Sequence, residues 1–148
     1  MIKKIICVMV LSALAVCSFA SSGSQNSTVK LAITGAWARS SLAPNLNSAV
    51  YMLVKNTNNK EYVIIGASAP LIANRVELHD SYLDEQKISR MRNVDKVVVP
   101  AQSSLELKPG GTHIMLMDLK QELKTGDKFT IKLKIENVGV IDVEVEVK

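Results

Sequence analysis

Hydrophobic and polar residues alternate in short runs from Val29 to the C-terminus, the pattern of β-strands with one buried and one solvated face. No stretch of this region keeps a helical period over three turns. Clusters rich in Asn, Gly, Pro and Ser separate the runs, as turns do. We therefore predict ten strands, at residues 29–34, 49–55, 62–67, 74–80, 87–93, 96–99, 105–107, 113–119, 128–135 and 140–147.

The last two predicted strands show the alternation most clearly. Apolar residues alternate with Lys and Thr in residues 128–135, and with Asp and Glu in residues 140–147. The opposite charges are well placed to pair across an antiparallel hairpin. Many short antiparallel strands at this spacing predict an all-β fold, a Greek-key sandwich or barrel.

The N-terminus has the three parts of a secretory signal. Lys3 and Lys4 are followed by an apolar run at residues 5–16, and Ser18-Phe19-Ala20 supplies the small residues of a cleavage site. The run is shorter than the roughly 20 residues that a transmembrane helix needs. We predict a signal peptide at 1–20, a flexible segment at 21–28 and a β-domain at 29–148, and we expect the protein to be exported.

A second interpretation of the N-terminus stays open. Leu14-Ala15-Val16-Cys17 loosely resembles a lipobox, although Val16 is bulky for the position before the cysteine. In that case Cys17 becomes an acylated N-terminus and residues 21–28 act as a tether.

Cysteine usage and charge exclude several classes of function. Cys7 and Cys17 both lie in the predicted signal, so the predicted β-domain has neither a disulfide nor a thiolate ligand. Blue-copper sites and thiolate zinc sites are therefore excluded. Of 18 basic residues, Lys3 and Lys4 belong to the signal, which leaves 16 against 14 acidic ones. This near balance gives no support for nucleic-acid binding.

After the predicted signal the chain has two histidines and four methionines: His79, His113, Met52, Met91, Met115 and Met117. Because side chains alternate along a strand, His113, Met115 and Met117 share one face. Side chains two residues apart on this strand can converge on one point beyond its end. We expect the turn at 109–111, just before His113, to expose that end. His79 is expected on the polar face, at the end of the predicted strand 74–80.

These residue types favour one metal ion. Thioether sulfur is a soft neutral ligand and imidazole a borderline one, and together they favour Cu(I) over Zn(II). Methionine is also a common packing residue of β-cores, and we assign Met52, which lies in an apolar run, to the core. Spacing alone leaves both the Cu(I) site and the packing interpretation open for the other residues.

Several segments occur in a fixed order: Arg75-Val-Glu-Leu-His79, Met91-Arg-Asn-Val, Val99-Pro-Ala and Leu105-Glu-Leu-Lys-Pro-Gly-Gly-Thr-His113-Ile-Met-Leu-Met117. Upstream of them lie Ala36-Trp37-Ala38-Arg39, Pro44, Ala49-Val50-Tyr51-Met52 and Asn56. In this order they resemble the periplasmic copper chaperone PCuAC family. That family carries a His, a Met and a His-x-Met, with ten residues in the first gap and 21 in the second.

The first gap here is one residue longer than in the family. Residues 80–90 make a gap of 11, whereas residues 92–112 make the usual 21. An insertion in an open loop leaves Met91 in place at small entropic cost. A register slip within the strand instead turns Met91 to the other face, and Met117 then becomes the natural substitute.

The resemblance implies a cupredoxin-like Greek-key β-fold with Cu(I) held by four side chains: His79, Met91, His113 and Met115. It further implies a periplasmic protein that delivers copper to assembling copper centres, notably that of respiratory oxidase. We expect the protein to be a monomer. Trp37 and Arg39 also match the family pattern, and we assign them packing and structural roles.

The sequence therefore predicts a non-enzymatic Cu(I) carrier, since no convincing catalytic set is present. Two alternatives stay open. One is a copper buffer or storage protein, and the other is a metal-free β-sandwich that binds a partner through an edge or a loop face.

Overall fold

A computed structural model describes residues 29–43 and 46–148. The predicted signal peptide and the segment 21–28 lie outside these residues, as does Pro44. The described chain consists of ten strands: β1 (Leu31–Ala38), β2 (Ser48–Asn56), β3 (Tyr62–Ser68), β4 (Ala73–Leu83), β5 (Ser89–Asn93), β6 (Val97–Val99), β7 (Ser103–Leu107), β8 (His113–Leu119), β9 (Lys128–Ile135) and β10 (Gly139–Val147). In this part of the chain, no helix has the length and apolar character needed to cross a bilayer.

All ten predicted strands are present, and the larger differences lie at two strand ends. β1 continues past Thr34 to Ala38 because Gly35, at φ +61°, allows the shift in register between Thr34 and Trp37. β4 runs to Leu83, three residues beyond the predicted end. His79 is therefore inside the strand, and the expectation that it lies at a strand end is wrong.

The strands follow one continuous hydrogen-bonded path in the order β5-β4-β8-β2-β1-β10-β9-β3-β6, with β7 also paired to β2. β1 and β10 are parallel, whereas the other pairs are antiparallel. β8 lies between β4 and β2, which are remote from it in sequence, as Greek-key connections require. The predicted all-β sandwich is confirmed.

The path folds over on itself around a single apolar core. Leu78, Ile114 and Leu116, from β4 and β8, belong to the same buried cluster as Ile131 and Leu133 from β9. Met52 is also in this cluster, so its assignment to the core is confirmed. Burial of large aliphatic side chains from both halves of the path is the main force that closes the sandwich.

β7 and β8 lie one after the other along the same edge of β2. β7 pairs with residues 52–56 of β2 and β8 with residues 48–50. The five residues between the strands, 108–112, loop out of this edge, and a hydrogen bond from Lys108 N to Thr112 O closes the loop. Pro109 suits this excursion because it has no N–H to give to a ladder, and Gly110, at φ +75°, supplies its left-handed turn.

Asn56, at the end of β2, connects this strand by hydrogen bonds to the end of β6 and to the β6–β7 turn. Its side chain is buried, at 1% exposure. The amide Nδ2 donates to the carbonyl oxygens of Lys60 (2.9 Å), Val99 (3.2 Å) and Pro100 (2.9 Å), and Oδ1 accepts from the N–H of Asn58 (2.8 Å). One buried amide thereby satisfies backbone groups of the β2–β3 turn, of the last residue of β6 and of the turn after it.

We expect Asn56→Ala to destabilise the fold by about 2–3 kcal/mol, because each buried carbonyl left without a donor costs about 1–3 kcal/mol. Urea unfolding followed by circular dichroism measures the change. Asn74→Ala, in an exposed position of β4, is the control and should stay within about 0.5 kcal/mol of the parent. Equal stability of the two variants would contradict this role for Asn56.

Candidate metal centre

The register between β4 and β8 brings the two histidines together. His79 lies directly opposite His113, and Glu77 lies opposite Met115. Residues that face each other across a ladder point to the same side of the sheet. Because Leu78 and the neighbours of Met115 point into the core, these four side chains share the outer face. The two imidazole centroids are 5.9 Å apart, in an edge-to-face arrangement.

Met91 lies on the same outer face, two residue pairs further along the β4–β5 ladder. β5 pairs His79 with Asn93 and Ser81 with Met91. The longer gap after His79 is therefore accommodated without turning Met91 away from the histidines. The Met91 side chain is 60% exposed, on a strand that ends the hydrogen-bonded path.

Met117 also points outward but lies further from the histidines. It is opposite Arg75, two residue pairs beyond the Glu77–Met115 pair. Two residues along a strand correspond to about 6.5–7 Å. The structure therefore places Met115, and not Met117, next to His113 along this face.

A surface cavity of about 260 Å³ opens over this part of the sheet. Met91, His113 and Met115 all line it. His79 does not line the cavity, and its ring stands beside that of His113. The other lining residues come from the β1–β2 connection, β2, the β4–β5 hairpin and the 108–112 loop: Arg39, Asn47, Ser48, Ala49, Tyr51, Ser81, Ser89, Pro109 and Gly110.

His113 is held by the loop that precedes it. Its Nδ1 lies 2.9 Å from the carbonyl oxygen of Gly111. A carbonyl only accepts, so Nδ1 carries the proton and Nε2 keeps its lone pair. The side chain is buried, at 4% exposure, because Tyr51 (ring centroids 6.1 Å apart) and the 108–112 loop surround it. The expectation that the turn would expose this strand end is wrong.

His79 is held by a carboxylate. Its Nε2 lies 3.0 Å from Oε2 of Glu77, whereas its Nδ1 is buried and has no hydrogen-bond partner among the residues that the structure describes. The hydrogen bond from His79 holds the pKa of Glu77 below its ordinary value, with smaller contributions from the charge of Arg75 and the hydrogen bond of Asn93, while burial acts in the opposite direction. Glu77 is thus an anionic acceptor, and Nδ1 of His79 keeps a free lone pair.

The resulting donor set is neutral and soft. Each imidazole uses one nitrogen to bind the protein and leaves the other free, and the thioether of Met115 lies on the same face. Within residues 29–43 and 46–148, no three His, Cys, Asp or Glu side chains are grouped to hold a metal ion. The arrangement is chemically suited to a soft monovalent cation.

Three residues lie at the site although the sequence does not predict them there. Arg39, to which the sequence gives a structural role, bonds through its backbone to Ala49 and Ser48, and it also lines the cavity as an exposed residue. Tyr51 was noted only as part of a motif, yet its ring connects His113 to Trp37 (Trp37–Tyr51 centroids 4.6 Å). Glu77 could have been found, because it lies two residues before His79 on the same strand face.

Comparison with known proteins identifies the family of this chain. A family model described as "Putative lipoprotein LpqE-like" matches residues 31–147. The chain belongs to the LpqE-like family. A relative from Rickettsia prowazekii, "Uncharacterized protein RP573", is 35% identical over 102 residues, which is 64% of this chain. The chain spans only 55% of the length of that relative. The "Putative lipoprotein Lxx21020" of Leifsonia xyli subsp. xyli is 31% identical over 116 residues, covering 78% of this LpqE-like chain and 68% of the relative.

Solved structures confirm the resemblance to PCuAC domains. The solution structure of Cu(I)-DR1885 from Deinococcus radiodurans has a TM-score of 0.60 at 28% identity and covers 86% of this LpqE-like chain and 83% of that one. Apo-DR1885 has a TM-score of 0.61 at 26% identity, with coverages of 99% and 96%. The copper-bound PCuAC domain from PmoF2 has a TM-score of 0.66 at 23% identity, with coverages of 80% and 92%, and supports the fold alone.

The turn between β4 and β5, which leads into the strand that carries Met91, is held by Asp84. Its Oδ1 accepts from the N–H groups of Ile88 (2.8 Å) and Gln86 (3.0 Å), and Oδ2 accepts from Nε of Arg90 (3.0 Å). The bond from Ile88, then those from Arg90 and Gln86, hold the pKa of Asp84 below its ordinary value of 3.8, while burial opposes them.

The expected consequence is a turn that persists in mild acid. Because the folded-state pKa is lowered, the contribution of Asp84 to stability is present above its unfolded-chain value and is lost as pH falls through the lowered value. Titration of the Asp84 carboxyl by ¹³C NMR should give a midpoint below 3.8. A midpoint at or above that value would contradict the hydrogen bonding described for the turn.

Proposed function

We propose that this protein is a Cu(I) carrier of the cell envelope, in which His79, Met91, His113 and Met115 hold the ion. The observation that carries the proposal is the His79–His113 pair, in which each ring keeps one nitrogen free beside a thioether. Neutral imidazole and thioether donors favour Cu(I), and a cysteine-free site resists oxidation. The protein acts by binding and release and catalyses no reaction.

The relatives support the proposal that the protein carries copper and is exported from the cytoplasm. DR1885, which shares 28% identity and the fold, was solved with Cu(I). The family model and the Leifsonia xyli relative are both described as lipoproteins. We extend these properties to this chain as a periplasmic protein, exported by the signal at 1–20 and either free or anchored through Cys17.

Delivery of the ion is favoured over storage by the position of the site. Three of the four proposed ligands line a cavity that opens at the surface. The fourth, His79, stands behind them against Glu77. An incoming ligand can therefore reach the ion without unfolding of the sheet. We propose that the protein, as a monomer, hands Cu(I) to a recipient protein in the assembly of copper centres such as that of respiratory oxidase.

Competition with the chromophoric chelator bicinchoninate tests the binding of Cu(I). We expect one Cu(I) per chain at sub-micromolar affinity. His113→Ala with Met115→Ala should lower the affinity by at least about a hundredfold, since each tenfold corresponds to about 1.4 kcal/mol. Binding no tighter than micromolar would leave the metal-free interaction module as the better hypothesis. Tight binding that is unchanged in this variant would contradict the assignment of His113 and Met115 as ligands.

A matched pair of variants decides which methionine completes the site. Met91→Leu should weaken Cu(I) binding by about tenfold, whereas Met117→Leu, on the same face, should change it by less than about twofold. Leucine preserves the volume of each side chain while removing the sulfur. The reverse ranking would make Met117 the ligand.

Transfer kinetics separate delivery from storage. When the Cu(I)-loaded protein is mixed with a metal-free copper-acceptor domain of an oxidase, delivery predicts a rate that rises with the acceptor concentration. A storage protein releases the ion first, and its rate then does not depend on the acceptor. Spectroscopic detection of the loaded acceptor at several concentrations distinguishes the two, and a flat dependence would rule out direct delivery.

A further inference from the structure

We propose that Glu77 is a positioning residue that fixes the tautomer of His79, so that His79 binds the ion through Nδ1 whereas His113 binds it through Nε2. The inference rests on the proposed function for the identity of the cargo. The tautomer itself is a property of the metal-free chain and can be tested without copper.

The carboxylate of Glu77 is held from several sides. Oε2 accepts hydrogen bonds from Nε2 of His79 at 3.0 Å and from Nδ2 of Asn93 at 3.1 Å. Oε1 lies 3.8 Å from Nη1 of Arg75. Asn93 is opposite His79 in the β4–β5 register, so the two donors approach the same oxygen from adjacent strands. Glu77 therefore has a fixed position from which to hold the histidine ring.

The opposite nitrogen of His79 has no partner to bind. Nδ1 is buried, and no group of the described chain donates to it. A buried polar atom without a partner is costly, and native structures retain one where a ligand or an ion completes it. Because the Glu77 bond occupies Nε2, Nδ1 is the nitrogen that His79 can offer to the ion without breaking an existing contact.

His113 is fixed the opposite way round. Its Nδ1 donates to the carbonyl oxygen of Gly111 at 2.9 Å, which leaves Nε2 for the ion. The 108–112 loop fixes the tautomer of His113, and Glu77 on β4 fixes that of His79. Two histidines that face each other across a ladder thus present different nitrogens, and only the tautomer of His79 depends on a carboxylate.

The charge of Glu77 also matches the cargo. The proposed ligands are all neutral, so Cu(I) brings an uncompensated positive charge into a partly buried site. A carboxylate in contact with a ligand balances this charge, and a ligand-bound carboxylate raises the basicity of the imidazole. Glu77→Gln keeps a hydrogen-bond acceptor without the charge, whereas Glu77→Leu removes both, so the two variants separate positioning from charge.

The tautomer is measured first, on the metal-free protein. Two-bond ¹H–¹⁵N NMR of ¹⁵N-labelled protein should show His79 protonated at Nε2 and unprotonated at Nδ1, in the parent and in Glu77→Gln. In Glu77→Leu we expect the two nitrogens to approach an averaged signal. A proton on Nδ1 of His79 in the parent protein would overturn the inference, as would an unchanged tautomer in Glu77→Leu.

Copper loading is measured second. Addition of one equivalent of Cu(I) should shift the Nδ1 resonance of His79 and the Nε2 resonance of His113, while the Nε2 proton of His79 persists. By competition with bicinchoninate, Glu77→Leu should lose about tenfold to a hundredfold in affinity and Glu77→Gln less. Glu144→Leu, at an exposed position of β10 paired with Lys128, is the control and should bind as the parent does.

The outcomes separate this inference from the proposed function. If the parent protein binds no Cu(I), the proposed function fails, while the tautomer in the metal-free protein still tests the role of Glu77. If Cu(I) binds but shifts Nε2 of His79 and removes its proton, only the inference fails. If Glu77→Leu does not fold, the parent and Glu77→Gln spectra decide the result.

Discussion

The placement of β8 between β2 and β4 is the constraint on which the rest of the site depends. Ile114 and Leu116 are fully buried, and ladders on both sides of β8 fix its register. A shift of one residue would turn His113 and Met115 into the core and the two aliphatic side chains outward. The hydrophobic effect that holds β8 in place therefore also sets the face on which its polar and sulfur-bearing side chains stand.

The loop at 108–112 converts that constraint into the geometry of the site. The carbonyl of Gly111 accepts from the N–H of Ser81 (3.2 Å) and from Nδ1 of His113 (2.9 Å), so one oxygen joins the loop, β4 and a histidine ring. On the other strand, Glu77 holds the second ring. Backbone on one side and a carboxylate on the other thus orient two imidazoles that stand on the same outer face.

Alternation along the chain was enough to predict the ten strands and the shared face of His113 and Met115, because both follow from local sequence. Burial of the outer face was not predictable in this way. The side chains of Ala49 and Tyr51 point outward from β2 yet are buried. β8 places Met115 opposite Ala49, and the rings of Trp37 and His113 pack beside that of Tyr51. The face on which Met91 lies likewise depends on how the β4–β5 turn accommodates the extra residue between His79 and Met91. The position of Arg39 at the cavity depends on packing between residues that are remote in sequence.

The proposed ligands differ in how firmly the fold holds them. His79, His113 and Met115 lie on β4 and β8, which are paired on both sides, whereas Met91 lies on β5, an exposed strand at the end of the path. Edge hairpins with few buried contacts open locally at lower free energy than central strands. A ligand on such a hairpin can leave the ion while the other three keep their geometry. The fold thus holds three of the proposed ligands rigidly and leaves the fourth on a strand that opens more easily, a combination that suits the proposed transfer of the ion better than its permanent retention.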